Sequence, residues 1–121
     1  MTSARFAKAQ RVRRRGEFQR VFDGGVRVHG RYATVLMAPA PGSVCRLGIV
    51  ASKKVGAAVA RNRAKRLIRE VFRTTPIRTA RPVDILVIAR RELLEATLPS
   101  LRQDFENTCR RASARLQSGG R

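Results

Sequence analysis

One strongly basic segment, residues 51–73, repeats its apolar residues at the spacing of an α-helix. On a helical wheel these apolar residues share one arc: Ala60, Ala64, Leu67, Ile68, Val71 and Phe72. Most of the opposite arc is cationic. A disordered basic tail would not keep this period. The segment therefore predicts an amphipathic helix over residues 57–73, with one face in a core and the other able to meet phosphates.

The whole chain shares this positive character. Its 121 residues include 27 Lys and Arg against 8 Asp and Glu, which gives a formal net charge of +19. Self-repulsion of that size destabilises a compact state, so we expect a polyanionic partner; a role in solubility alone is the alternative. The apolar fraction of 43% is too high for a disordered polycation. The length fits one domain with a single modest core.

The sequence shows no sign of a membrane span or a secretory signal. Its most apolar run, residues 85–89, is far shorter than a bilayer requires, and the N-terminus has no apolar stretch. A basic amphipathic helix can bind anionic lipid, but no bulky apolar face is left to anchor it. We therefore expect a cytoplasmic protein with no membrane partner.

Candidate metal and catalytic residues are few. Cys45 and Cys109 are far apart at no metal-ligand spacing; we expect free, buried thiols in a reducing cytosol, with a disulfide as the alternative. His29 stands alone and is expected at the surface or at a strand end rather than on a metal. Because the acids are scattered singly, the sequence predicts neither a catalytic nor a metal site.

The remaining periodicity describes a short series of helices and strands. We expect a helix over 14–22, strands over 32–38, 46–51 and 83–89, and a last helix over 97–116. The first two strands are expected to pair as an antiparallel hairpin, and the third to be buried on both faces. The order α-β-β-α-β-α predicts a single-domain α+β sandwich with helices against a small sheet.

The domain is expected to span residues 12–116. Residues 1–11 are rich in cations and lack an apolar period, so they are expected to form a basic mobile arm. Residues 117–121 are expected to be a flexible tail. No internal repeat and no second domain is predicted.

Polar residues of the basic helix and of the loop before it are the candidate binding residues. Arg61 and Arg63 carry planar guanidinium groups suited to phosphate, and Asn62 between them can bridge a phosphate and an arginine. In the loop, Gly56 and the small residues after it would let backbone amides approach a phosphate. A solvated arginine face is the alternative, but like charges at i,i+4 weaken a helix unless a polyanion relieves them. The candidates are Lys53, Lys54, Arg61, Asn62, Arg63, Lys65, Arg66 and Arg69.

Aromatic residues are scarce, and three of them lie near the basic elements in sequence. Phe18, Phe22 and Tyr32 could stack on unpaired bases of a nucleic acid. Packing in the core is the alternative for each of them. The sequence leaves both roles open.

The chain resembles the protein subunit of bacterial ribonuclease P. Residues 46–70, RLGIVASKKVGAAVARNRAKRLIRE, carry the resemblance. It extends upstream through residues 17–22 and the glycines that follow, and downstream through residues 84–90. The order of elements agrees from about residue 12 to 116, which is nearly the whole chain.

The resemblance implies an RNA-binding protein that assists a catalytic RNA. In that family the RNA, with bound Mg²⁺, hydrolyses the phosphodiester between a precursor tRNA and its 5′ leader. The implied partners are therefore ribonuclease P RNA and precursor tRNA, with Mg²⁺ held mainly by the RNA, and a non-catalytic protein that is monomeric without RNA. For the fold, the resemblance implies a small mixed sheet and a left-handed β-α-β crossover, where general rules favour the right-handed form.

The resemblance also assigns roles to the candidate residues. The eight residues from Lys53 to Arg69 given above match positions that contact the RNA subunit. A cleft between the sheet and the first helix takes the single-stranded leader, and Phe18 and Phe22 match positions in it. Leu36 stands where a relative places an aromatic residue. Tyr32 falls on the same face by strand alternation and is the candidate substitute.

Two other functions compete with this interpretation. A structural RNA binder of the ribosomal type would explain the charge, but its activity would not depend on a 5′ leader. A stand-alone nuclease would cleave without added RNA, and the sequence offers no metal ligands for it. A DNA-condensing protein is a weaker third possibility, because it would have no use for a folded cleft.

Overall fold

The computed structural model describes residues 15–75, 79 and 81–118. The predicted arm, residues 1–11, lies outside the described residues, as do residues 119–121 of the predicted tail. Gln117, which we assigned to the tail, is the last residue of the final helix.

Helices and a small sheet alternate along the chain, as expected for an α+β fold. The elements are α1 (Arg15–Gly24), β1 (Val26–His29), β2 (Ala33–Pro39), β3 (Arg46–Val50), α2 (Ala58–Thr74), β4 (Val83–Ala89), a 3-10 helix (Arg91–Glu95) and α3 (Leu98–Gln117). The predicted fold class is confirmed, with β1 as an additional strand. This strand has no counterpart in the prediction because its four residues give too short an alternation to recognise.

The four strands form one mixed sheet in the order β1-β2-β4-β3. β2 is antiparallel to both β1 and β4, and β3 is parallel to β4. The expected hairpin of β2 and β3 is therefore wrong, because β4 lies between them. Since β4 is apolar on both faces, a central position buries it best. The parallel β3–β4 pair is joined through α2, which gives the β-α-β crossover.

The main core lies between the sheet and the helices α2 and α3. The rings of Phe72 and Phe105 meet edge to face there, with centroids 6.5 Å apart. Cys109 lies in the same core, where burial raises the pKa of its thiol to about 12. Both cysteines are free, as expected; Cys109 is buried and Cys45 half-buried.

A second, smaller core lies on the opposite face of the sheet, under α1. It contains Val21, Leu36, Ala38 and Leu86. The chain turns sharply from α1 toward the sheet at Gly25. A Cβ at this position would lie 2.6 Å from the carbonyl oxygen of Val21, so only glycine permits the close approach.

The ends of the helices follow their sequence signals. The hydroxyl of Thr97 accepts a hydrogen bond from the amide of Ser100 (3.2 Å), and Pro99 lies in the first turn of α3, as predicted. Among the described helices, none is both long enough and apolar enough to cross a membrane.

Candidate nucleic-acid interface

The helix α2 divides into a buried and a solvent-facing side. Its buried residues are Ala64, Ile68, Val71 and Phe72, all from the predicted apolar arc. The six candidate binding residues of the helix are exposed or half-buried: Arg61, Asn62, Arg63, Lys65, Arg66 and Arg69. The prediction of an amphipathic basic helix is confirmed.

The loop before α2 is held by two successive turns. The amide of Val55 donates to the carbonyl of Ser52 (3.0 Å), and the amide of Gly56 donates to that of Lys53 (3.1 Å). Val55 is only 2% exposed and anchors the loop in the main core. Gly56 has φ +148°, a conformation that favours glycine. Lys53 and Lys54 are therefore exposed on a rigid loop.

The N-terminus of α2 adds to this positive surface. Ala57 occupies the cap position and provides no side-chain acceptor, and the first turn contains no acid. The first backbone amides of the helix therefore keep free hydrogen-bonding capacity beside the two lysines of the loop.

The cations of this surface have no acidic partner among the residues that the structure describes. Within the described part of the chain, none of the eight predicted side chains makes a hydrogen bond or an ion pair. The acid of α2, Glu70, pairs with Arg73 at 2.5 Å instead. The loop and the outer face of α2 thus form one continuous surface of unpaired positive charge, which we call the basic surface.

On the opposite face of the sheet, α1 packs over β2 and β4, where the cleft is predicted. Phe18 and Phe22 of α1 are half-buried and pack against the small core. Leu36 is 1% exposed and belongs to the floor beneath them. The structure therefore brings these three predicted residues together.

Tyr32 does not join them. It is buried in the main core, on the side of α2 and α3. The expectation that it shares the face of Leu36 is wrong because β2 begins only at Ala33, so strand alternation does not extend to residue 32. Its amide donates to Asp104 (3.2 Å), and the guanidinium of Arg31 lies 5.3 Å from its ring centre.

A charged network fixes α1 to the sheet. Asp84 of β4 is fully buried and accepts two hydrogen bonds from Arg46 of β3, at 2.8 and 2.7 Å. Arg20 of α1 also pairs with Asp84, and Glu17 of α1 pairs with Arg46 at 2.6 Å. The hydrogen bonds to Asp84, more than those to Glu17, raise the pKa of Arg46 and keep it charged. Residues far apart in sequence form this network, so no local pattern predicted it.

A second polar cluster lies at the other end of the same sheet face. Arg90 donates to the carbonyl of Gly30 (2.9 Å) and to the hydroxyl of Thr34 (3.2 Å). Its guanidinium also lies 3.2 Å from Nδ1 of His29, which must act as the acceptor because arginine only donates. His29 is exposed at the end of β1, as predicted.

The described residues contain no group of three His, Cys, Asp or Glu side chains that could hold a metal ion. What the described residues do present is a set of exposed cations on α2 and its loop, and half-buried aromatic rings on α1. These two groups of side chains lie on opposite sides of the sheet.

Comparison with known proteins gives a consistent result. Residues 6–113 match the protein family described as Ribonuclease P. The ribonuclease P protein component of Desulfatibacillum aliphaticivorans is 42% identical over 113 residues, which cover 93% of this chain and 96% of that protein. The component of Symbiobacterium thermophilum is 39% identical over 113 residues, which cover 93% and 98% of the two chains.

Solved structures show the same fold. A mutant RNase P protein of Staphylococcus aureus aligns with a TM-score of 0.77 and 35% identity, covering 87% of this chain and 89% of that one. The RNase P protein of Thermotoga maritima aligns with a TM-score of 0.73 and 33% identity, covering 84% and 96%.

Proposed function

The chain belongs to the ribonuclease P protein family, and we propose that it binds the catalytic RNA through the basic surface and the 5′ leader of precursor tRNA in the cleft. It is the protein component of an endoribonuclease that matures tRNA 5′ ends. The RNA subunit carries out the phosphodiester hydrolysis, and the protein acts by binding and positioning.

The observation that supports this proposal most directly is that the cations of the basic surface have no partner within the described part of the chain. Guanidinium and ammonium groups without intramolecular acids are free to replace the counterions of RNA phosphates. The like charges of Arg61, Lys65 and Arg69 at i,i+4 spacing destabilise the free helix, and a bound polyanion relieves that repulsion. Affinity for the RNA subunit therefore decreases as salt concentration rises.

The cleft supplies contacts that mature tRNA cannot make. Phe18 and Phe22 present half-buried rings at its border, where unpaired leader bases can stack. Only the precursor carries a leader, so this binding energy favours substrate over product. Leu36 contributes apolar floor and not a stacking ring.

The metal belongs to the RNA side of the complex. Mg²⁺ is bound mainly by the RNA partner, whose phosphates supply the hard oxygen ligands that it prefers. Cations of the protein reduce the repulsion between the two RNAs, so that less Mg²⁺ is needed for their association. The free protein is a cytoplasmic monomer.

The test is cleavage of precursor tRNA at low Mg²⁺ concentration by this protein, by a bacterial ribonuclease P RNA, and by both together. We expect cleavage only with both components. Binding of precursor and of mature tRNA to the assembled enzyme is measured in parallel, and the precursor should bind more tightly.

The competing functions predict different results in this assay. Cleavage by the protein alone would indicate a stand-alone nuclease. If the protein binds RNA but does not stimulate cleavage in any combination, it is a structural RNA binder.

A further inference from the structure

A second group of arginines lies at the β1 edge of the sheet. Two come from β1 and the turn after it, and two come from α3, which packs beside this strand. We call them the arginine edge: Arg27, Arg31, Arg111 and Arg115, all of them exposed.

Hydrogen bonds to the backbone hold the two α3 side chains against the strand. Arg111 donates to the carbonyl oxygen of His29 (3.1 Å), and Arg115 donates to that of Arg27 (2.6 Å). Each guanidinium has five N–H donors, so most of them still point away from the strand. Their positions are thus fixed before any partner binds, which lowers the entropy lost on binding.

The described residues leave the side chains of the arginine edge without acidic partners. None of its four side chains forms an ion pair with a described residue. The carboxylate of Asp104 accepts hydrogen bonds from the backbone amides of Arg31 and Tyr32. Glu106 lies on the far side of α3, about half a turn round from Arg115 at 100° per residue.

The arginine edge begins at the border of the cleft. Arg27 stands directly opposite Leu36 in the antiparallel pair, so both side chains leave the sheet on the face that α1 covers. The basic surface follows β3 at the other edge of the sheet. Three strand spacings, roughly 14 Å, separate the two edges, so the two groups of cations are distinct sites.

We propose that the arginine edge binds phosphates of the 5′ leader at the point where the leader RNA leaves the cleft and passes over β1. The proposal rests on the proposed function, since it extends the path of the leader. It assigns the upstream nucleotides of the leader to Arg27 and Arg31 first, and then to Arg111 and Arg115.

The experiment compares the binding of long-leader and short-leader precursor tRNA to the assembled holoenzyme at several salt concentrations. The variants are Arg27→Gln/Arg31→Gln and Arg111→Gln/Arg115→Gln. The control Arg81→Gln/Arg110→Gln removes the same charge from exposed positions outside the group. Affinity for the isolated RNA subunit and the unfolding midpoint are measured for every variant.

Both variants should weaken long-leader binding roughly tenfold. The slope of log affinity against log salt concentration should become less steep by about 0.7 for each lost phosphate contact. Short-leader binding, RNA-subunit binding and the control should keep wild-type values. If loss of the α3–β1 bonds unfolds Arg111→Gln/Arg115→Gln, the first variant decides alone, because neither of its side chains bonds to the backbone.

Three results would overturn the proposal. The first is an equal loss of long-leader affinity in the control variant. The second is an equal loss of affinity for short-leader and long-leader precursors. The third is a loss of affinity for the RNA subunit alone. A wild-type holoenzyme without any leader preference would instead refute the proposed function itself.

Discussion

The arginines of the network that fixes α1 to the sheet and those on the outer face of α2 have opposite surroundings. Arg46 is half-buried and Arg20 partly exposed, and both bond to the fully buried Asp84. Arg63, Arg66 and Arg69 are exposed and have no acid partner among the described residues. The residue type is the same, but the two groups differ in burial and in the presence of an internal anion.

This difference separates cations that stabilise the fold from cations that are available to a partner. A buried carboxylate needs its paired cations, because charge without a partner is destabilising inside a protein. A cation in solvent adds nothing comparable to stability. Substitutions in the first region should therefore affect folding, and those in the second should affect binding.

The largest effect is expected from Asp84→Asn. This change removes the common partner of Arg20 and Arg46 and should lower the free energy of unfolding by about 3–5 kcal/mol. Urea unfolding followed by circular dichroism measures it. Asp23→Asn, at an exposed position of α1, is the matched control. Its free energy of unfolding should change by at most about 0.5 kcal/mol. Similar losses in both variants would mean that the network is not a special source of stability.

Arg66→Gln/Arg69→Gln tests the other region. Charge-assisted hydrogen bonds contribute about 1.5–3 kcal/mol each, so loss of one or two phosphate contacts should weaken RNA-subunit binding at least about tenfold. Stability should stay constant or rise slightly, since like-charge repulsion along α2 decreases. Filter binding and thermal unfolding check the two effects. A loss of stability with unchanged binding would reverse the distinction between the two regions.

Phe18→Ala tests whether α1 also serves binding. Stacking of one base contributes about 1–3 kcal/mol, and leader-dependent affinity should fall accordingly, while RNA-subunit binding stays unchanged. Phe18→Leu keeps apolar volume but lacks the flat ring, so it should preserve stability and still lose leader affinity. Equal weakening of leader and RNA-subunit binding would argue against a leader cleft at this place.

The smallest effect is expected from Glu70→Gln. It breaks an exposed i,i+3 pair with Arg73, so the unfolding free energy should change by less than about 0.5 kcal/mol. Because it frees one more cation beside the basic surface, RNA-subunit affinity should rise slightly, with a steeper salt slope. Isothermal titration at two salt concentrations would show this, and a decrease in affinity would contradict it.

Local patterns predicted the parts of the molecule that local forces determine. The strand β4 was predicted with its observed bounds, and the buried face of α2 follows its apolar period. The same holds for the start of α3 at Thr97 and Pro99. In each case one stretch of sequence contains both the signal and its cause.

Pairings between distant segments could not be predicted in this way. The hairpin of β2 and β3 was wrong although β4, apolar on both faces, indicated a central strand. Asp84 and Arg46 are 38 residues apart, and only the register of β3 on β4 makes them neighbours. For Tyr32, alternation failed because the strand starts one residue later. For the site, the cationic residue types were readable from the sequence, but their lack of internal partners was not.

The pair that Arg20 forms with the buried Asp84 also sets an order of events during synthesis. These residues are 64 positions apart, so α1 leaves the ribosome long before its anchor on β4 exists. The basic helix α2 is also synthesised before β4. The nascent chain can therefore fix α1 over the sheet only after β4, the last strand, has emerged.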